Sequence, residues 1–156
     1  MTTRTDLTLT IAGAAGAALW ALQQPIDKRA FASGYDDVEL LGRAVTSGPA
    51  WKSIGFAMHV ANGAAFGFLF ARLRRRAPGL SPRVAGQLLA QVENFGLYPL
   101  AAIVDRVHPA REQLSPAFGA RQLAQATWRH AILGAVVGEA AARVERRERI
   151  ERINAV

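Results

Sequence analysis

The sequence contains no cysteine, which excludes a disulfide framework and any thiolate metal site while leaving the compartment open. It also lacks a nucleophile elbow, a phosphate loop and a dinucleotide fingerprint, so no motif supports an enzyme. Charge is missing from two long stretches. Twenty residues separate Asp6 from Asp27 and nineteen separate Lys52 from Arg72, none of them charged. Each run is close to the ~20 apolar residues that cross a hydrocarbon layer about 30 Å thick. The first run ends at Gln23-Gln24-Pro25 without a clean small-x-small cleavage site, which argues against a secretory signal.

A third run, residues 84–104, is 21 residues long with Glu93 as its only charge. A fourth, centred on residues 131–142, contains Glu139 and is entered through Arg129 and His130. These runs predict an all-α integral membrane four-helix bundle with spans near 7–26, 54–73, 84–104 and 123–144. The transmembrane domain then covers residues 1–144, and residues 145–156 form a charged helical tail. The competing reading is a soluble four-helix bundle, but soluble helices usually carry a polar face that the first two runs lack.

The net charge of +7 would suggest nucleic acid in a soluble protein; in a membrane protein, arginine excess instead marks the cytoplasmic side. Residues 72–83 hold five arginines and no acid, whereas residues 27–52 balance four basic residues against four acids. An even number of spans puts both termini beside the 72–83 connection. The expected location is a bacterial cytoplasmic membrane with both ends inside, with lipid and no nucleic acid as partner. Trp20, Trp51 and Trp128 are expected at the outer interface, where amphipathic rings are favoured. In the tail, Glu145 with Arg149 and Glu148 with Arg152 stand at the favourable four-residue spacing.

Several local signals organise the connections. Asp36 or Asp37 is placed to cap a short helix carrying Val38, Leu40, Leu41 and Val45. Pro25 is expected to end the first span and Pro99 to interrupt the third. Pro78, Gly79 and Pro82 mark a short turn, which predicts that spans two and three pack together. His59-x-x-x-Gly63-x-x-x-Gly67 matches His130-x-x-x-Gly134-x-x-x-Gly138, suggesting two helix-pair repeats about an axis along the membrane normal.

On a helix, His59 and Asn62 share a face with Gly63 and Gly67, a combination suited to close helix packing and interhelical hydrogen bonds. Gln87, Gln91, Asn94 and Tyr98 align similarly, with Glu93 alongside. An ionised carboxylate at that depth costs several kcal/mol unless it is paired, hydrated or neutral. Glu139 lies half a revolution from His130 and four residues from Arg143, which assigns it a structural pair. The candidate polar cluster is therefore His59, Asn62, Glu93, Asn94 and His130, with Gln23 and Gln24 closing it from the first span.

The expected role is a small membrane protein that acts through helix packing, as a homo-oligomer or an accessory subunit, with Gly63, Gly67, Gly134 and Gly138 as packing faces. Three alternatives stand beside it. The cluster can form a proton or solute path. His59 and His130 can serve as axial ligands of haem, or the two histidines and Glu93 can hold a metal, although no close-spaced ligand motif is present. No motif calls for a cofactor.

The pattern His59-Val60-x-Asn62, followed by a glycine- and phenylalanine-rich half-helix and arginines, resembles the YagU-like family of small bacterial inner-membrane proteins. The resemblance continues through Gly86 to Gln91, the Tyr98-Pro99-Leu100 turn and the His130 span with its arginine-rich end, over roughly residues 10–147. It implies a multi-spanning helical inner-membrane protein and supplies no catalytic residue. The chain departs from the pattern in a shorter outer connection and in Asn94, where a histidine is expected.

Overall fold

The computed structural model describes residues 3–76 and 79–155; Ala77 and the expected turn residue Pro78 lie outside them. Among the described residues there are helices and turns but no strand. The helices are α1 (Thr3–Ala30), α2 (Asp37–Val45), α3 (Trp51–Arg74), α4 (Pro82–Leu97), α5 (Pro99–Val107) and α6 (Ala120–Asn154). The chain thus repeats a long, short, long order. Two helices, α1 from Arg4 and α3, are long and apolar enough to cross a membrane.

Local chemistry accounts for the boundaries. Asp36 caps α2 by accepting from the Glu39 N–H at 3.0 Å, and Ser81 caps α4 in the same way through Val84 N–H, with Pro82 in the first turn where no backbone donor is needed. Pro99 separates α4 from α5, as its position predicts. Pro25 does not end α1, which continues to Ala30. The turn beyond it closes on Ala32, whose φ of 48° is left-handed, while Ser33 N–H reaches Lys28 O and Ala32 N–H reaches Arg29 O. This is a Schellman ending, usually built on glycine. The charged tail is not a separate element, because α6 runs unbroken for 35 residues, about 52 Å at the helical rise.

Packing departs from the order expected from connection length. α3 packs mainly on α1, α4 packs on α6, and α1 also contacts α6, whereas α3 and α4 touch only sparsely. Glycine complementarity decides this arrangement. A methyl group on Gly13 would overlap the Gly63 carbonyl and crowd the Gly67 backbone, and one on Gly86 would crowd Gly134 and Gly138. Backbones that approach this closely leave no room for a Cβ. Both His-x-x-x-Gly-x-x-x-Gly stripes are therefore consumed by a neighbouring helix of the same chain, and a short turn between α3 and α4 does not outweigh those contacts.

One end of the bundle is basic and carries both described chain ends. Arg74 binds Glu145 at 2.9 and 3.2 Å, Thr5 donates to Glu148 at 2.8 Å, and Asp6 pairs with Arg72 and Arg75. Glu145 and Glu148 thus face α3 and α1, not the tail arginines expected from four-residue spacing. Glu139 does pair with Arg143 at 3.0 Å, and Arg83 joins it at 2.8 Å. At the opposite end, α2 and residues 108–119 form a cap: His108 Nε2 meets Leu40 O at 3.0 Å, and Arg43 donates to Gln113 at 3.0 Å.

Polarity is distributed inside out along this bundle. Leu7, Ile11, Leu22 and Ile26 of α1 are exposed, as are Phe56, Phe68 and Leu69 of α3 and Val84, Leu88, Val92 and Phe95 of α4. Arg129, Gln125, Asp27, Gln24, Asn94 and His59 are buried. An apolar core around Leu9, Phe66, Phe70, Leu133 and Val137 accompanies this polar set.

Candidate functional site

The polar set divides into two parts. The first is built around Arg129, which α6 presents to the capped end with no solvent exposure. Its guanidinium forks onto Asp27 of α1 through Nε at 2.7 Å and Nη2 at 2.8 Å, and its Nη1 reaches Asp37 of α2 at 2.6 Å. Nη2 also donates to Tyr35 O at 3.1 Å. Gln125, one turn earlier on α6, donates to Asp27 at 2.7 Å, and Gln23 bonds the same carboxylate. Gln24, with its amide nitrogen turned toward Asp36, lies 2.9 Å from both carboxylate oxygens.

Asp37 receives further donors: Trp20 Nε1 at 3.0 Å and the Tyr35 hydroxyl at 2.7 Å. Burial opposes its charge, but Arg129, His59 and these two hydrogen bonds outweigh that effect and hold its carboxyl below the usual range. Burial, the Asp37 charge and their hydrogen bond push the Tyr35 hydroxyl well above its ordinary value, so it remains a donor. Removing Arg129 strands two carboxylates without a cation, which makes this network a structural clamp joining α1, α2 and α6.

The second part is a cavity of about 300 Å³ beside the clamp. All five candidates, His59, Asn62, Glu93, Asn94 and His130, line it, together with Trp20, Tyr35, Asp37 and Tyr98. Its apolar walls include Leu40, Phe66, Leu97, Leu100 and Val104. Asn62 is exposed, and α3 and α4 barely meet, so the cavity opens between those helices. The Gln87-Gln91-Asn94-Tyr98 stripe holds its far wall. Gln87 donates to Ala131 O at 2.9 Å, Gln91 to Thr127 O at 3.1 Å and Asn94 to Thr127 Oγ1 at 3.1 Å. The Tyr98 hydroxyl both donates to Gly119 O and accepts its N–H, at 2.5 and 2.8 Å.

Hydrogen-bonding capacity remains open inside the cavity. Asn94 Nδ2 is engaged with Gln91 and Thr127, which leaves its carbonyl oxygen as an acceptor. His130 Nδ1 lies 2.8 Å from Ala126 O, so it carries the proton and Nε2 is an acceptor. His59 is 6% exposed, and its Nε2 is enclosed without a hydrogen-bond partner among the described residues. Glu93 is half-buried and has neither an ion pair nor a side-chain hydrogen bond among them. An unpartnered carboxylate at a bundle's centre is costly, and buried polar groups normally have partners.

Trp20 lies edge-on to both imidazoles, with centroids 4.9 Å from His59 and 4.8 Å from His130. It is a core residue at 6% exposure, contrary to the interfacial role expected for it. Trp128 is half-exposed and donates to Gln23 at 3.3 Å, while Trp51 stacks beneath Arg43. Trp20 thus packs against both of the histidines expected as axial ligands of haem. Among the described residues, no group of three or more histidine and carboxylate side chains is arranged to hold a metal.

Sequence reasoning missed the clamp. Its signal was the position of charges at the edges of the apolar runs: Asp27 closes the first and Arg129 opens the fourth. The chain matches no protein-family model, no curated protein and no solved structure.

Proposed function

We propose that the chain is a four-span membrane protein in which α1, α3, α4 with α5, and α6 cross the bilayer, and that its cavity carries protons or a proton-linked solute. Exposed apolar side chains at 84, 88, 92 and 95 on α4 support the third span, as they form one continuous face at helical spacing. The arginine-rich end is read as cytoplasmic, with both termini there. Resemblance to the YagU-like inner-membrane proteins is consistent with this placement.

One observation carries the functional reading: Glu93 and His59 line one cavity, and neither the Glu93 carboxylate nor the enclosed His59 Nε2 has a partner among the described residues. A packing cluster would be expected to pair these groups, whereas a path for protons or solute needs groups that can change partner. The oligomer or accessory-subunit reading rested on the glycine faces, and packing within one chain already accounts for those faces. In vesicles loaded with a pH-sensitive dye, the wild type should dissipate an imposed pH difference faster than protein-free vesicles. Glu93→Gln should return the rate to the protein-free level. Equal rates for wild type and variant would remove Glu93 from the path.

A further inference from the structure

We propose that the cavity is a binding site for a primary ammonium ion carrying an apolar, ring-sized substituent. This rests on the cavity being a functional site, as above, and adds the chemical class of its occupant. The polar groups left open are acceptors on two walls, the Glu93 carboxylate and Asn94 carbonyl on α4 and His130 Nε2 on α6, while His59 Nε2 on α3 is enclosed behind them without a partner among the described residues. An ammonium group supplies one positive charge and three donors, matching the Glu93 carboxylate, which has no ion pair among the described residues, and the neutral acceptors beside it. An anion would meet Glu93 and Asp37 with no free cation beside them among the described residues, because Arg129 is committed to Asp27 and Asp37.

The rest of the lining selects the substituent. Trp20, Tyr35 and Phe66 provide aromatic faces, and Leu97, Leu100 and Val104 provide aliphatic ones. Aromatic faces also favour a nearby cation. A volume of about 300 Å³ accepts a single ring with a short linker, at the lower end of ordinary ligand pockets. The opening beside Asn62 gives such a molecule a route between α3 and α4, with its apolar part against the walls.

Ammonium and proton compete for the same carboxylate. Binding therefore weakens as pH falls, by up to about tenfold per unit once Glu93 is mostly protonated. Other titratable groups face the cavity: Tyr35 and Asp37 from the capped end, His59 from α3 and His130 from α6. Protonation of either histidine acts in the same direction, by adding positive charge and removing an acceptor. Asp37 also lines the cavity, but Arg129, Trp20 and Tyr35 occupy both of its oxygens.

The test uses full-length protein in lipid nanodiscs, with benzylammonium as probe and tryptophan fluorescence as readout, since Trp20 lines the site. The wild type should bind saturably, with uncharged benzyl alcohol failing to displace the probe. Glu93→Gln should weaken binding about tenfold or more, the scale expected when one member of a desolvated charge pair is neutralised. Glu93→Asp should retain part of the affinity, which guards against misreading a folding defect. Val92→Ala, on the exposed face of α4, should bind as the wild type does. Unchanged affinity in Glu93→Gln, or equal displacement by benzyl alcohol, would overturn the assignment. Saturable binding without proton flux would leave this inference standing and remove the proton path.

Discussion

The Arg129 clamp and the Glu93 cavity lie side by side and are built from similar residue types, yet their charged groups are paired differently. Around Arg129, every guanidinium nitrogen and both Asp37 oxygens are engaged, and the Gln125 Oε1 is the atom left without a partner among the described residues. Around Glu93, a carboxylate and an enclosed imidazole nitrogen have no partner among the described residues. A network whose charged groups are paired holds helices in place and gains little from a ligand, whereas an unpaired carboxylate gains from any group that completes it. Burial of polar residues alone does not separate structure from function here; the pairing of the charged groups does.

This difference can be broken first at the clamp. Arg129→Met should destabilise the fold by roughly 3–5 kcal/mol, because it strands Asp27 and Asp37 without a cation. A thermal melt in mild detergent would detect this. Glu93→Gln, by contrast, should melt close to the wild type while losing flux. If Arg129→Met were as stable as the wild type, the clamp would have no structural role.

A smaller effect is expected from acid. Asp37 has a carboxyl held below its ordinary value, so the stability it contributes is fully present above about pH 4. It is lost as pH falls from there through the folded-state value. Asp37→Asn should therefore be less stable at neutral pH and show a flatter acid limb in melting temperature against pH. Equal acid limbs would place the sensitivity elsewhere. The smallest effect belongs to Ala32, whose left-handed φ closes the helix that carries Asp27. Ala32→Gly should stabilise the protein by about 1 kcal/mol and leave flux unchanged; a lower melting temperature would show that the turn does not limit α1.

Much of the site could be read from residue spacing. His59, Asn62, Glu93, Asn94 and His130 stand out because polar groups are rare in those runs, and all five line the one cavity. The helix-breaking role of Pro99 and the capping role of Asp36 followed from local chemistry. What could not be read was which helices pair. Connection length suggested α3 with α4, while Gly13 and Gly86, which select α1 and α6 as partners, show their role only once two backbones meet. Trp20 looked interfacial because it lies late in an apolar run. Buried, it donates to Asp37 and packs on His59 and His130, residues of three other helices, and no periodicity reports those contacts. Pro25 was read as a helix end because a missing donor is a local fact, whereas the Schellman turn and the Asp27 clamp beyond it are not.

The most direct measurement is the rate at which vesicles containing wild type or Glu93→Gln dissipate an imposed pH difference, with melting temperature followed on the same preparations. The account predicts two equally folded proteins, of which only the wild type exceeds the protein-free rate. Equal rates from two folded proteins would contradict it, leaving Glu93 as a polar residue of the bundle with no part in transport.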